Sequence, residues 1–299
     1  MKVLVVGSTG LVGGTAVKLL SEKGADVRAL VRESSDQSKV AALRTAGVET
    51  VVGDLRDADS LRAACAGVDT VLATASAVPF AWGESNTTST VDRDGTIRLI
   101  DAARHAGVSH CIHTSFPHGP DPGFPLGDAK AAAEKFVIES GMTYSILAAN
   151  YFMEAWLSPA LGFDYAAGTA VIYGEGTNPV SFVSFFDVAR TACEAVFRPE
   201  ARNRILPIGG PRALSALDAV RIFETKSGRT WNVQHISAAD LEAQFAAAGD
   251  EFQKSLAALQ LTIATSPDLA MDPSTYLVKS DLKSVERYAE DAVKHEAPV

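Results

Sequence analysis

The first fourteen residues run from an unbroken apolar, mostly β-branched stretch, Val3-Leu4-Val5-Val6, into a turn, Gly7-Ser8-Thr9-Gly10-Leu11-Val12-Gly13-Gly14. An apolar run without polar alternation is the pattern of a parallel strand covered on both faces. Gly7, Gly10 and Gly13 stand at G-x-x-G-x-x-G spacing. Such a backbone can turn sharply, approach a pyrophosphate with no Cβ in the way, and pack the next helix close to the strand. The free N–H groups around Thr9, Gly10, Leu11 and Val12 then face the phosphates. Three glycines alone are a weak signal. A strand before them and an amphipathic helix after them supply the context that a dinucleotide fingerprint requires.

The same strand–turn–helix rhythm continues. Apolar runs at 2–6, 26–31, 49–52, 70–74, 110–115 and 143–148 alternate with helical periodicity at 11–23, 37–46, 58–66, 91–106 and 128–140. That alternation is the mark of βαβ units building a parallel sheet. Gly24, Gly47, Gly67, Gly107 and Gly141 each stand where a helix should stop, in the place of a left-handed capping residue. The expected fold is therefore α/β, a doubly wound parallel sheet of the Rossmann type over 1–150, with 180–210 packing back onto it. A smaller α+β substrate lobe is expected over 151–299. Its predicted elements are a strand at 170–173, a helix N-capped by Asp187, a strand at 204–208 and a capped helix at 215–227. A strand at 231–236, one or two helices over 238–260 and a charged helix over 280–295 complete it.

Composition narrows the function classes. A formal charge of −9 with no lysine- or arginine-rich run argues against nucleic-acid binding. No apolar run is long enough to cross a bilayer. Cys65, Cys111 and Cys193 are odd in number and widely spaced, with no ligand-like histidine beside them, so they read as reduced thiols and no metal site is expected. The cytoplasm is the expected location, and a monomer or homodimer the expected state.

The end of the second predicted strand selects between nicotinamide cofactors, because an acidic residue there binds a free ribose 2′-hydroxyl and an arginine a 2′-phosphate. Arg32 follows Val31 directly and favours NADP(H), leaving NAD(H) possible. Glu33 opposes that choice and Lys39 is a second candidate phosphate contact. Further cofactor contacts are expected from Asp54 and Leu55, from Thr74, Ala75 and Ser76, and from Ser115, all at carboxyl ends of strands. Asp54 reads equally well as an acceptor for the adenine amino group and as an N-cap.

The runs GSTGLVGG, LVRESS, VVGDL, TSF and DAKAAAEKFVIESGMTYSILAANYFMEAW together resemble the NmrA-like branch of the atypical short-chain dehydrogenases, as do FVSFFDVARTACEAVF and GGPRALSALDAVRIF further on. That branch includes NADPH-dependent quinone and dye reductases and is related to isoflavone and phenylcoumaran benzylic ether reductases. The resemblance implies a Rossmann domain that binds NADP(H) and a small C-terminal lobe that closes over the substrate. The chain departs from the ordinary YxxxK pair, because Leu126 stands four residues before Lys130, and Ala148-Ala149 stand where many relatives carry an arginine.

Lys130 is the candidate catalytic residue, placed to reach the nicotinamide ribose; a neighbouring pyridinium and partial burial would ease proton donation. Asn150, Tyr151 and Phe152 are expected along the cofactor ring. Phe80, Trp82, Phe116, His118, Tyr151 and Trp156 are candidates for a flat apolar substrate pocket, with Pro79, Phe124 and Phe185 in reserve. His113, alternating with apolar neighbours, reads as a satisfied core residue. The expected activity is hydride transfer from NADPH to a quinone or similar conjugated carbonyl. The alternative is an NADP(H)-sensing regulator that acts on a protein partner without turnover; the absent YxxxK disfavours a nucleotide-sugar epimerase.

Overall fold

The β-branched runs of the first half become short strands, and the segments between them become helices that end on glycine. The computed structural model describes residues 1–78 and 82–294. In chain order its elements are β1 (Lys2–Val6), α1 (Leu11–Glu22), β2 (Asp26–Val31), α2 (Gln37–Thr45), β3 (Glu49–Val52), α3 (Ala58–Cys65), β4 (Thr70–Ala73), α4 (Asp94–His105), β5 (His110–Ser115), α5 (Pro125–Glu139) and β6 (Thr143–Ala149). There follow α6 (Met153–Trp156), β7 (Phe163–Asp164), β8 (Thr169–Tyr173), α7 (Phe185–Phe197), β9 (Arg204–Ile208), α8 (Ala216–Ser227), β10 (Asn232–Ile236), α9 (Ala238–Ala247), α10 (Glu251–Thr265) and α11 (Val285–Val293). Two compact units result: Met1–Ala148 with Val188–Leu206, and Ala149–Asp187 with Pro207–Val299.

The first unit carries a seven-stranded sheet in the order β3-β2-β1-β4-β5-β6-β9. β1 pairs in parallel with both β2 and β4, so the winding reverses between β1 and β4. In sheets of this kind ligands bind beyond the carboxyl ends of the strands at that reversal, here past Val6 and Ala73. Leu4, Val6, Val71, Ala73 and Cys111 pack beneath Leu61, Leu99, Ile100 and Val137 in one buried cluster. Each fully buried leucine or isoleucine there contributes about 1.5–3 kcal/mol. Gly24, Gly47, Gly67, Gly107 and Gly141 all have φ between 70° and 80°, the left-handed cap predicted for them.

Two helix starts of the first unit differ from expectation. The periodic segment predicted from 91 is not one α-helix: a π-helical turn spans Thr88–Arg93, and α4 begins at Asp94. Thr87 and Thr90 cap that turn reciprocally, which holds the wide turn in register. The helix expected from 128 starts earlier, at Pro125, which needs no N–H bond in a first turn; Asp128 instead accepts the Gly123 N–H at 2.9 Å.

The second unit holds the small mixed sheet β10-β8-β7, with β8 parallel to β10 and antiparallel to β7. Its core is aromatic: Phe223 lies edge-on to Phe163, Trp231 and Tyr288 with centroids 4.9, 5.3 and 6.1 Å away. α7 starts at Phe185, ahead of the predicted cap Asp187, because Ser184 Oγ accepts the Phe186 N–H at 3.2 Å; Asp187 instead accepts the Lys283 N–H at 2.7 Å. The segment 238–260 is two helices, each with its own cap, Ser237 and Asp250, and the second runs on to Thr265. The last helix begins only at Val285, since Asp281 has a φ of 55° and Ser284 supplies the cap. Trp231 lies just outside β10, in the aromatic core. Among the described residues no helix is long and apolar enough to cross a membrane.

Candidate functional site

The glycine turn is built as its spacing requires. Gly7 has a φ of 88°, and a Cβ there would lie 2.7 Å from Thr74 Oγ1 and 2.9 Å from the Ala75 nitrogen. A Cβ on Gly13 would lie 2.2 Å from the Gly7 carbonyl oxygen, so α1 rests directly on the turn. Gly10, exposed, is the N-cap of α1 and offers no side chain to its first-turn N–H groups. Leu11 and Val12 open that turn, half-buried. The sequence reading missed Ser8, which is buried and donates to the Leu30 carbonyl at 2.7 Å, tying the turn to the end of β2.

Arg32 lies just past β2, half-buried, and donates to Asn86 Oδ1 at 3.2 Å. Lys39 on α2 donates to the Thr9 carbonyl at 3.3 Å, so this cation borders the glycine turn, while Glu33 is exposed. Asp54 does not cap α3, a role Asp57 fills. Both Asp54 oxygens accept from Arg56 at 2.8 Å, which holds its carboxyl below the usual carboxylate range. Leu55 is buried in the core cluster. Thr74 donates to the Val6 carbonyl at 2.9 Å and Ser76 to Val78 at 3.1 Å, with Ala75 half-buried between them.

The carboxyl end of β5 is the most charged part of the unit's interior. Lys130, only 5% exposed, donates to the Thr114 carbonyl at 3.1 Å, and its Nζ lies 3.0 Å from Oδ1 of the fully buried Asp92. Nothing in the sequence pattern marked Asp92, which sits in the π turn. Thr114 Oγ1 and Ser115 Oγ are buried with no hydrogen-bond partner among the described residues. His113 corrects the expectation of a satisfied core residue: it is buried as expected, but neither ring nitrogen has a partner among the described residues. Burial first and the Lys130 charge second push it well below the ordinary imidazole value.

The loop after β5 carries the predicted aromatic side chains. Phe116 stacks on Phe124 at 6.2 Å and meets the His118 ring edge-on at 5.5 Å. Both His118 nitrogens are committed, Nε2 to Glu134 at 2.9 Å and Nδ1 to the Gly119 carbonyl at 2.7 Å. Two acceptors are satisfied together only by the imidazolium, and the Glu134 bond raises His118 above its ordinary value. Trp82 packs half-buried against the core cluster. Phe80 and Pro79 lie outside the described residues.

The other predicted side chains belong to the second unit. Asn150, buried, donates to the Leu269 carbonyl at 2.8 Å and accepts the Tyr151 N–H at 2.9 Å. Tyr151, Trp156 and Tyr173 form an edge-to-face chain, with centroids 4.9 and 6.1 Å apart, and Phe152 bridges to Val183. Burial raises the Tyr151 phenol well above its ordinary value, so it does not serve as a ready acid. Among the described residues no three metal-ligating side chains come together.

NADP(H) fits what the first unit offers. The turn leaves α1's first N–H groups uncapped beside Lys39, and at the end of β5, where Lys130 donates to the Thr114 carbonyl, two buried hydroxyls have no hydrogen-bond partner among the described residues.

The NmrA-like family matches residues 1–289. The NAD(P)H azoreductase of Xenophilus azovorans is 30% identical over 298 residues, which cover 99% of this chain and 98% of that protein. The Citrobacter sp. triphenylmethane reductase complexed with NADP(H) shares the fold with a TM-score of 0.80 at 21% identity, covering 99% of this chain and all of that one. The Escherichia coli NADPH-dependent quinone oxidoreductase QOR2 complexed with NADPH shares it at 0.78 and 22%, covering 98% and 99%.

Proposed function

The chain belongs to the NmrA-like family, and from that premise we propose that it is an NADPH-dependent reductase delivering hydride to a quinone or a similar conjugated, mostly apolar acceptor. The observation that carries the reading is Lys130, held by the Thr114 carbonyl beside Asp92 at the carboxyl end of β5, with no tyrosine of its own unit at that end of the sheet. Tyr144, the one tyrosine of the first unit, pairs with Cys111 toward the other end of the sheet. A site without a strong protein acid suits an acceptor whose reduced oxygens take their protons from water, as a quinone's do. The azoreductase likeness supports including azo dyes among the acceptors tested.

When bound, NADPH supplies the hydride. The α1 N-terminus holds the pyrophosphate, and Arg32 with Lys39 holds the 2′-phosphate. Lys130 and Ser115 fix the nicotinamide ribose and carboxamide. Phe116 supplies apolar surface for a flat acceptor. The location proposed is the cytoplasm. Steady-state loss of nicotinamide absorbance with a panel of quinones and azo dyes tests the reading. Acceptor-dependent oxidation that prefers NADPH to NADH, and falls at least tenfold in kcat in Lys130→Ala, is expected. Tight NADPH binding without oxidation by any acceptor would replace the reductase with a cofactor-sensing regulator.

A further inference from the structure

The π turn before α4 carries one inward-facing charge. Of its last residues, Arg93 is exposed and Asp92 is fully buried. The wide turn also needs Gly95 after it, where a Cβ would lie 2.8 Å from both the Thr90 carbonyl oxygen and Leu55 Cβ. Turns of this kind give up regular hydrogen bonding and recur at functional sites.

The Asp92 carboxylate is divided between two partners. Oδ2 accepts the Ala77 N–H at 3.0 Å, fixing the backbone that follows β4. Oδ1 faces Lys130 Nζ at 3.0 Å, and Lys130 in turn donates to Thr114 at the end of β5. One buried carboxylate thereby links the ends of the two strands from which cofactor contacts are expected. An ammonium has three N–H groups. The Thr114 carbonyl takes one; Asp92 Oδ1, 3.0 Å from Nζ as an ion pair, accepts no hydrogen bond and, like Thr114 Oγ1 and Ser115 Oγ, has no hydrogen-bond partner among the described residues, so N–H capacity of Lys130 remains at the carboxyl end of β5. A buried ion pair contributes little net stability, since matched apolar side chains hold a core equally well.

We infer that Asp92 is the positioning residue of the site: its buried carboxylate, 3.0 Å from Lys130 Nζ and tied to the Ala77 N–H, fixes where that nitrogen lies so that it serves the nicotinamide ribose. This rests on the cofactor site proposed above, but not on the identity of the acceptor. Removing the carboxylate loosens a charge-assisted contact, which corresponds to roughly tenfold to hundredfold in the affinity or rate it supports.

Two substitutions separate positioning from packing, because the roles predict opposite orders. Asp92→Asn keeps the shape and removes the charge; Asp92→Glu keeps the charge and adds a methylene. NADPH affinity is read by nicotinamide fluorescence, kcat and KM with a quinone by absorbance, and folding by thermal melting. If Asp92 positions Lys130, Asp92→Asn weakens NADPH binding and lowers kcat by roughly tenfold or more, leaves the quinone KM unchanged, and Asp92→Glu recovers most of both. If it only packs, Asp92→Asn is silent and Asp92→Glu is the damaging change, which overturns the inference. Should Asp92→Asn fail to fold, Asp92→Glu decides alone: NADPH affinity and kcat near the wild type support positioning by the retained charge, and losses in both as large as those of Lys130→Ala overturn it. If no acceptor is reduced even by the wild type, the reductase reading fails, and the order of the two NADPH affinities still decides the role of Asp92.

Discussion

Replacing Gly13 by alanine tests whether the glycine turn is a ligand cradle whose geometry depends on α1 lying against β1. The new Cβ would lie 2.2 Å from the Gly7 carbonyl oxygen, 2.7 Å from the Gly7 carbonyl carbon and 2.6 Å from Thr74 Oγ1. Van der Waals contact needs about 3.5 Å, so the first turn of α1 must withdraw by about 1 Å. Neither carbonyl atom is the far end of a flexible side chain, so the cost falls at the upper end of the 1–3 kcal/mol typical of overpacking. Alanine recovers about 1 kcal/mol of helix propensity over glycine. The net loss is then about 2 kcal/mol, a fall of roughly 4–8 °C in Tm for a chain of this size. Gly14→Ala is the matched control, since its Cβ meets only the Ser8 carbonyl oxygen, at 3.2 Å; it should be neutral or slightly stabilising. Because the displaced N–H groups are those offered to the pyrophosphate, Gly13→Ala should also weaken NADPH binding by roughly tenfold or more. Melting curves and fluorescence titrations of the two variants decide it. Equal Tm and equal Kd in both would refute the close approach and its link to the cofactor.

Two more outcomes follow from the same unit. Arg32→Ala should weaken NADPH binding by about tenfold to hundredfold, and NADH binding far less, because a charge-assisted bond to the 2′-phosphate is lost only with the first; an equal loss for both cofactors in parallel titrations would remove Arg32 from the 2′-phosphate. His118 is raised above its ordinary value by Glu134, so its contribution is fully present below about pH 6.5 and disappears as pH rises through its higher folded value. Amide exchange in 117–124 should therefore speed up from pH 6 to pH 8 by more than the intrinsic rate does, and Glu134→Gln should abolish the excess; an excess that survives in the variant would place the titrating group elsewhere.

Local signals explain how much could be read in advance. β1, β2, β3 and β5 were legible to the residue, because each is an apolar run closed by a turn or a polar strand end, and the glycines that stop the helices all adopt the left-handed conformation that only glycine takes without strain. The π turn was hidden because Val91, its single apolar residue, reads as the start of the helical repeat that continues at Ile97, Leu99 and Ile100. Its cause is tertiary, the room that Gly95 leaves for Leu55 and the Thr90 carbonyl. Lys130 could be singled out by position, whereas Asp92 could not, since an aspartate ahead of a helix reads as a solvated cap until its burial is known. His118 likewise read as a pocket residue; Glu134, a full turn and more into α5, is what commits it to the loop. His113 shows the reverse failure, where a buried histidine was expected to find a partner and has none among the described residues.

We propose that this chain oxidises NADPH by passing hydride to a conjugated apolar acceptor. The most direct measurement is an anaerobic single turnover, in which protein saturated with NADPH is mixed with a small excess of a quinone and nicotinamide absorbance is followed, with and without deuterium at the transferring C4 position. One phase of absorbance loss that slows with deuterium and slows again in Lys130→Ala is the predicted result. NADPH that stays bound and unoxidised through quinones and azo dyes alike would contradict it.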